Sequence, residues 1–296
     1  MGFFDWIVVP FGYVFRVCYH LVGNYGFALF LFTVIFRLLF LPLNIKSQKG
    51  TAGSMMISGK QQALRKKYAD NKEKLNQEMM RIYEEEKIKP TAGCLPMLIQ
   101  MLLFYPVYFV IYKPLTYIVG VSSDVITKAL EILSIAPSDR SGELSIIRHF
   151  GEDTISSLFS PDVAEQIRSL NFNLFGIIDL TGKPEISHPN ILWLIPLMAG
   201  VTSLLFSFIS MKMNKTAATG GGMGAIMYIM PLFSIWICFT LPAGVGFYWT
   251  CSNLVGIPLQ MFLNKYYSAP VINARKELKE RREREEREQK IMQSRA

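Results

Sequence analysis

Five stretches of about 20 residues carry almost no charge, and they constrain this chain more than any short motif does. They are 25–45, 93–117, 190–211, 223–240 and 245–264. A bilayer core is spanned by a helix of ~20 apolar residues. The last two stretches are separated only by "LPAG", which reads as a tight membrane hairpin. Composition alone decides little: 51% of the 296 residues are hydrophobic, against roughly 45–50% in soluble domains. The distribution points to an all-α, polytopic membrane protein with a five-helix transmembrane core.

The segment 1–24 is apolar but carries Asp5, Arg16 and His20, and Pro10 and Gly12 interrupt it. It lacks the basic start and the small-residue cleavage site of a secretory signal. It reads as an N-terminal interfacial helix lying on the membrane, with a broken sixth span as the alternative. The four cysteines, Cys18, Cys94, Cys238 and Cys251, all lie in apolar stretches with no CxxC and no histidine at ligand spacing. They read as small apolar fillers, so no metal and no cofactor is expected.

Lys and Arg in the connecting loops orient the helices. Residues 46–89 hold 11 of them, 212–222 hold Lys212 and Lys215, and the tail 265–296 holds 10. Residues 118–189 hold only five, against 10 acidic residues. The basic sets alternate along the chain as five spans require. This places the N-terminus and 118–189 outside the cell membrane, and 46–92, 212–222 and the tail in the cytoplasm. The formal net charge of +8 is then first a statement about topology.

Within 46–92, Leu75, Met79, Ile82 and Tyr83 form an apolar stripe at helical spacing, and Ile57, Leu64 and Tyr68 form a weaker one. A cytoplasmic helical hairpin turning at 69–71 and ending at Pro90 fits both. It is either a plain connector or an arm that receives a client, for which Met55, Met56, Met79 and Met80 would suit adaptable contacts. Gly50, Gly53 and Gly59 weaken the first arm, each by ~1 kcal/mol relative to alanine.

Three long segments carry a resemblance. "NYGFALFLFTVIFRLLFLPLNIKSQK", "YADNKEKLNQEMMRIYEEEKIKPTAGCLPMLIQM" and "YIMPLFSIWICFTLPAGVGFYWTCSNL" resemble, in order and spacing, the YidC/Oxa/Alb family of membrane protein insertases in its short form. About two thirds of the chain is covered. The resemblance implies an insertase or chaperone that passes hydrophobic segments of nascent membrane-protein clients into the lipid bilayer through a hydrophilic groove, alone or with the Sec translocon. It also implies ribosome docking through the basic tail. Two departures stand out. "KIKP" lacks the glycine that usually ends the hairpin, and Phe206, beside Ser207 and Ser210, stands where the third span often has glutamine. Residues 118–171 form an insertion in the outer loop. It contains "SDVITKALEIL" and "SPDVAEQIRSL", which read as two short helices with serine caps.

Arg37 sits inside the first apolar stretch, nine residues before Lys46. At the helical rise that is ~13 Å, too deep for easy snorkelling. A central arginine is costly in a bilayer, roughly 2.5–3.5 kcal/mol on insertion scales, and must face protein or water. No Asp or Glu lies in any of the five stretches, so a charge pair is unavailable. What remains is either a wet groove open to the cytoplasm, in agreement with the resemblance, or satisfaction by backbone carbonyls. Candidate groove residues beside Arg37 are Thr33, Gln100, Thr202, Ser203, Trp249, Thr250, Ser252, Asn253 and Gln260. Each hydroxyl has a plainer alternative in bonding its own helix.

Other classes fit less well. No histidine lies in the five stretches, and no GxSG, HExxH or GxGD occurs, so an intramembrane enzyme lacks its parts. A transporter would show repeated halves and paired acidic sites, which are not visible. A transporter or scaffold without insertase activity is the remaining alternative.

Overall fold

The computed structural model describes residues 5–86, 88, 95–213 and 222–295. Among these the chain is almost entirely helical, with one two-stranded hairpin. It divides into two compact units, one of residues up to Leu39, Ile99–Ser207 and Met227–Gly256, the other of Phe40–Leu98, Phe208–Ile226 and Ile257 onward.

In the first unit, α1 (Asp5–Val22) packs along α2 (Tyr25–Leu39). Val8, Phe11, Phe15, Cys18 and Tyr19 of α1 are buried at spacings of three and four residues, a single helical stripe. It meets an aromatic ladder on α2: Phe11 stacks on Phe36 with centroids 4.3 Å apart, and Phe15 meets Phe32 at 5.6 Å and Tyr25 at 5.0 Å. Such pairs add about 0.5–1.5 kcal/mol each beyond their buried area. Asn24 caps α2, its Oδ1 accepting from the backbone N–H of Gly26 (3.0 Å) and Phe27 (3.2 Å).

The apolar run 25–45 is not one helix. α2 ends at Leu39, and α3 (Leu41–Met56) begins after Phe40 with Pro42 in its first turn. Proline donates no N–H and disfavours helical backbone in the residue before it.

α6 (Leu95–Tyr112) is followed by a π-helical turn, Leu115–Val119, closed by Gly120 at φ +88°. Then come α7 (Ser123–Ile132), α8 (Gly142–Arg148), α9 (Asp153–Ser156) and α10 (Pro161–Ser169). With Leu115 they share a core of Ile126, Leu130, Ile146, Phe150, Ile155, Phe159 and Ile167. The insertion is therefore a packed cap. Ser122 and Ser160 precede α7 and α10 in extended conformation, but neither hydroxyl makes a capping bond. Glu143 of α8 is only 6% exposed. Its carboxylate accepts from the Thr116 N–H at 2.9 Å and the Thr116 hydroxyl at 2.6 Å. Burial pushes its pKa up, partly opposed by these two bonds.

The hairpin of β1 (Asn173–Leu174) and β2 (Ile178–Asp179) follows. A single 3₁₀ turn, Ile191–Trp193, opens α11 (Leu194–Met213), and α12 (Gly222–Cys238) and α13 (Ala243–Tyr267) complete the apolar set. The first N–H groups of α13 are satisfied by the loop: Ala243 donates to the Gly182 carbonyl at 2.7 Å and Gly244 to Leu180 at 2.8 Å. Glycines set the helix contacts. A Cβ on Gly200 of α11 would lie 2.4 Å from Ile235 Cγ1, and one on Gly246 of α13 would lie 2.5 Å from Ile195 Cγ2. Among the described residues, Ile191–Met213 is long and apolar enough to cross a membrane by itself. The broken pair Tyr25–Leu39 and Leu41–Met56 qualifies jointly, and Val8–Val22, Gln100–Tyr112 and Ile229–Cys238 are shorter apolar helices.

The second unit contains α3, α4 (Ser58–Lys67), α5 (Lys72–Glu85) and α14 (Ala269–Arg295). α4 and α5 run antiparallel. Lys60 pairs with Glu86 at 2.5 Å and Gln61 bonds the Tyr83 hydroxyl at 3.0 Å. Asn71 caps α5 by accepting from the Lys74 N–H at 2.9 Å. Leu75, Met79, Ile82 and Tyr83 are the half-buried face of α5, whereas Met80 is exposed. The root of α14 packs on α3, and the Lys49 ammonium of α3 sits 5.2 Å from the ring centre of Tyr267, the last residue of α13. From 273 to 294 every residue of α14 is exposed. Pro90, Cys94 and Lys215 lie outside the described residues.

Candidate functional site: a polar seam in the first unit

Arg37 occupies the last turn of α2 and is half-buried. Its Nη2 donates to the Ser252 hydroxyl at 2.5 Å and the Ser252 carbonyl at 3.1 Å, with a long contact to Gln100 Oε1 at 3.4 Å. Three neutral acceptors therefore hold the guanidinium, and no carboxylate pairs with it among the described residues. Ser252 is available because its carbonyl and hydroxyl both face α2. Gly256, one turn further on α13, has no side chain to obstruct the approach. A Cβ there would lie 3.6 Å from Arg37 Nη2 and 3.2 Å from the Phe206 ring. Phe206 of α11 thus closes over Gly256.

A cavity of about 10 Å³ opens beside Arg37, lined by Phe32, Thr33, Phe36, Val107 and Tyr248. That is the smallest space able to hold one water. Thr33 contributes a wall more than a polar group: its hydroxyl is 2.7 Å from the Leu29 carbonyl of its own helix.

A second cluster is built from α11, α12 and α13. Asn253 Nδ2 donates to the Ser203 hydroxyl at 2.8 Å and the Thr202 hydroxyl at 3.2 Å. Trp249 Nε1 reaches Ser203 at 3.3 Å, and Ser203 donates to Ser234 at 3.2 Å. Ser234 returns to its own helix at Met230, as Thr202 does at Met198. Asn253 follows Ser252 directly, so α13 carries both clusters at one level on neighbouring faces, and together they make up the polar seam.

The candidates named from sequence divide accordingly. Arg37, Gln100, Ser252, Asn253, Thr202, Ser203 and Trp249 belong to the seam, and Thr33 borders it. Thr250 is 1% exposed and bonds the Gly246 carbonyl of its own helix. Gln260 lies in the second unit, where its amide donates to Gln48 at a long 3.5 Å. Gln48 in turn donates to Asn264 at 2.8 Å. Sequence reading missed Ser234, Tyr248 and the Gln48–Asn264 pair. A serine in the middle of "LFSIW" was the visible signal for the first. Among the described residues, no group of three His, Cys, Asp or Glu side chains could hold a metal ion.

A family model described as 60Kd inner membrane protein matches residues 17–270. The chain belongs to this family. Every seam residue falls inside the matched region, whereas the exposed part of α14 lies beyond it. Three relatives named membrane protein insertase YidC are similar over most of the chain. That of Beijerinckia indica is 33% identical over 89% of this chain and 38% of its own length. That of Pelobacter propionicus is 32% identical over 90% and 40%, and that of Brucella suis 31% over 89% and 36%. The chain thus spans about two fifths of the length of these relatives.

Proposed function

We propose that this chain is a membrane protein insertase of the cell membrane, which passes hydrophobic segments of nascent clients from the cytoplasm into the bilayer along the seam. The observation that carries the reading is the Arg37 charge, held in an apolar unit by neutral acceptors alone among the described residues. A charge so placed stays available to an acidic group on a client, and Coulomb attraction grows as the local dielectric falls. Water at the seam would shorten the apolar path for the client's polar end. Partition of the client's apolar helix into lipid supplies the free energy, so no chemical step and no cofactor is invoked.

The exposed surface supports a lipid setting. Leu197, Val201, Leu204, Leu205 and Phe208 of α11, with Leu232, Phe233 and Trp236 of α12, are exposed. Apolar surface of this extent is foreign to soluble monomers. In the orientation set by the basic loops, the N-terminus and the cap face outward, and α4, α5 and α14 face the cytoplasm. The basic tail then approaches the ribosome, and the Sec channel is a partner within the membrane.

Insertion of single-span clients into liposomes without nucleotide tests the reading. Arg37→Ala should lose activity toward a client with an acidic translocated end, and Arg37→Lys should retain much of it, since Lys keeps the charge without the planar fork. Equal activity of wild type and Arg37→Ala on the acidic client would refute it.

A further inference from the structure

The tip of the β1–β2 hairpin is built in an unfavourable way. Phe175 has φ +53° and Gly176 φ +73°, and the Ile177 N–H donates to the Leu174 carbonyl at 3.2 Å. This is a two-residue left-handed turn, for which Asn-Gly or Asp-Gly is the usual choice. A bulky aromatic residue with positive φ is uncommon. Yet Phe175 is 71% exposed and Ile177 62% exposed, so burial in the protein core does not explain either side chain.

The hairpin is also fixed in place. Asn24, the cap of α2, donates to the Asn173 carbonyl at 2.9 Å, and the Tyr25 N–H donates to the Asn171 carbonyl at 2.8 Å. Leu174 packs on Gly26, where a Cβ would lie 2.6 Å from its Cδ1. The tip is therefore held at the level of the first turn of α2. There the Phe175 ring meets Phe27 edge-on, with centroids 5.7 Å apart at 90°. Phe27 and Phe30 are themselves exposed. The apolar surface of the tip thus continues onto the outward face of α2.

We infer that Phe175 and Ile177 seat in the outer-leaflet interface as an anchor beside α2, their partner being lipid at the headgroup–acyl boundary. This rests on the reading of α2 as a span whose N-terminus faces outward. Elements that lie in the interface bury Phe, Leu and similar apolar side chains about 5–10 Å deep at that boundary. The side chains that a soluble turn would exclude are then the ones the site requires, and the cap is held to the membrane at a second point besides the spans.

The test uses the full chain in liposomes, with an environment-sensitive fluorophore on Ile177→Cys. Leu38→Cys, exposed on α2, reports on the span, and Asp139→Cys on the cap reports on water. The unsubstituted protein measures labelling of the native cysteines. Lipids carrying a nitroxide near the headgroup should quench the Ile177 probe, lipids carrying one along the acyl chain should quench the Leu38 probe, and both should leave the Asp139 probe bright, while aqueous iodide should quench the Asp139 probe alone. Phe175→Asn, which suits the left-handed turn, should reduce lipid quenching at Ile177. Iodide quenching at Ile177 with lipid quenching at Leu38 would overturn the anchor and leave the span standing. Absence of lipid quenching at Leu38 would overturn both. Protection of Ile177 from both quenchers would mean that protein covers the tip, which also overturns the anchor.

Discussion

Arg37 grips Ser252 twice, its Nη2 reaching the hydroxyl at 2.5 Å and the carbonyl at 3.1 Å. One residue on α13 thereby positions the charge of α2. Ser252→Ala keeps the carbonyl and removes the hydroxyl. A hydrogen bond to a charged group contributes about 1.5–3 kcal/mol, so the variant should melt at a lower temperature. Insertion of an acidic client should persist, because the charge remains. Loss of insertion at unchanged melting temperature would mean that the hydroxyl acts on the client directly.

Access of water to the seam can be graded residue by residue. Asn253 is half-buried, whereas Thr33 is 2% exposed and borders a space for about one water. A charged thiol reagent added from the cytoplasmic side should therefore label Asn253→Cys faster than Thr33→Cys. Leu29→Cys, at a fully buried position, should be protected. Faster labelling of Leu29→Cys from the outside would place the opening on the opposite face.

Gly200 lets α11 approach α12, since an added Cβ would meet Ile235 at 2.4 Å. Alanine normally favours a helix over glycine by ~1 kcal/mol. Overpacking costs about 1–3 kcal/mol and should win here. Gly200→Ala is expected to lower the melting temperature, and Gly200→Ala with Ile235→Ala should recover part of the loss. A stabilised single variant would show that the contact yields easily.

Much of this architecture was legible in the sequence because apolar length and helical periodicity are strong, local signals. The Leu75, Met79, Ile82 and Tyr83 stripe is the half-buried face of α5 for that reason. Arg37 stood out because a charge in an apolar run is itself the anomaly. What could not be read depends on tertiary packing. α8 and α9 are too short to show a period, and the φ of Phe175 is imposed by a turn whose residues do not advertise it. The break at Phe40 was signalled only by Pro42. Thr202 and Thr250 both bond their own helix, and only Thr202 also accepts from Asn253, a difference decided by a neighbour distant in sequence.

Glu143 gives the cap a pH dependence of definite sign. Burial raises its pKa in the folded protein. Its contribution to stability is complete below the unfolded carboxyl value of ~4.3 and is lost as pH rises through the folded value. Glu143→Gln keeps an acceptor for the Thr116 N–H and removes the titration. Melting temperature should fall more steeply with rising pH in the wild type than in Glu143→Gln. Glu143→Ala, which strands the Thr116 donors, should cost about 1–3 kcal/mol at low pH, and less as pH rises and the wild type loses the Glu143 contribution. Parallel pH profiles for wild type and Glu143→Gln would remove Glu143 as the cause.

The exposed length of α14 is the last feature to test. Within 273–296 there are nine Lys or Arg and six Glu, a net charge of +3. Lys279 and Arg287 approach Glu283 at 3.7 and 3.9 Å, the i,i+4 pairs that support a helix in water. No buried stripe accompanies them, so the segment contributes little to the packing of its own unit, and deletion of 273–296 should leave the melting temperature unchanged. If the tail docks on ribosomal RNA, deletion should weaken co-sedimentation with ribosomes at low salt. The wild-type interaction should itself fade as salt rises, because phosphate contacts release counterions. The modest net charge predicts a shallow salt slope and weak binding. Equal sedimentation of full-length and truncated protein at about 50 mM and about 200 mM salt, a range over which phosphate-dominated binding changes strongly, would leave the tail as a solvated extension.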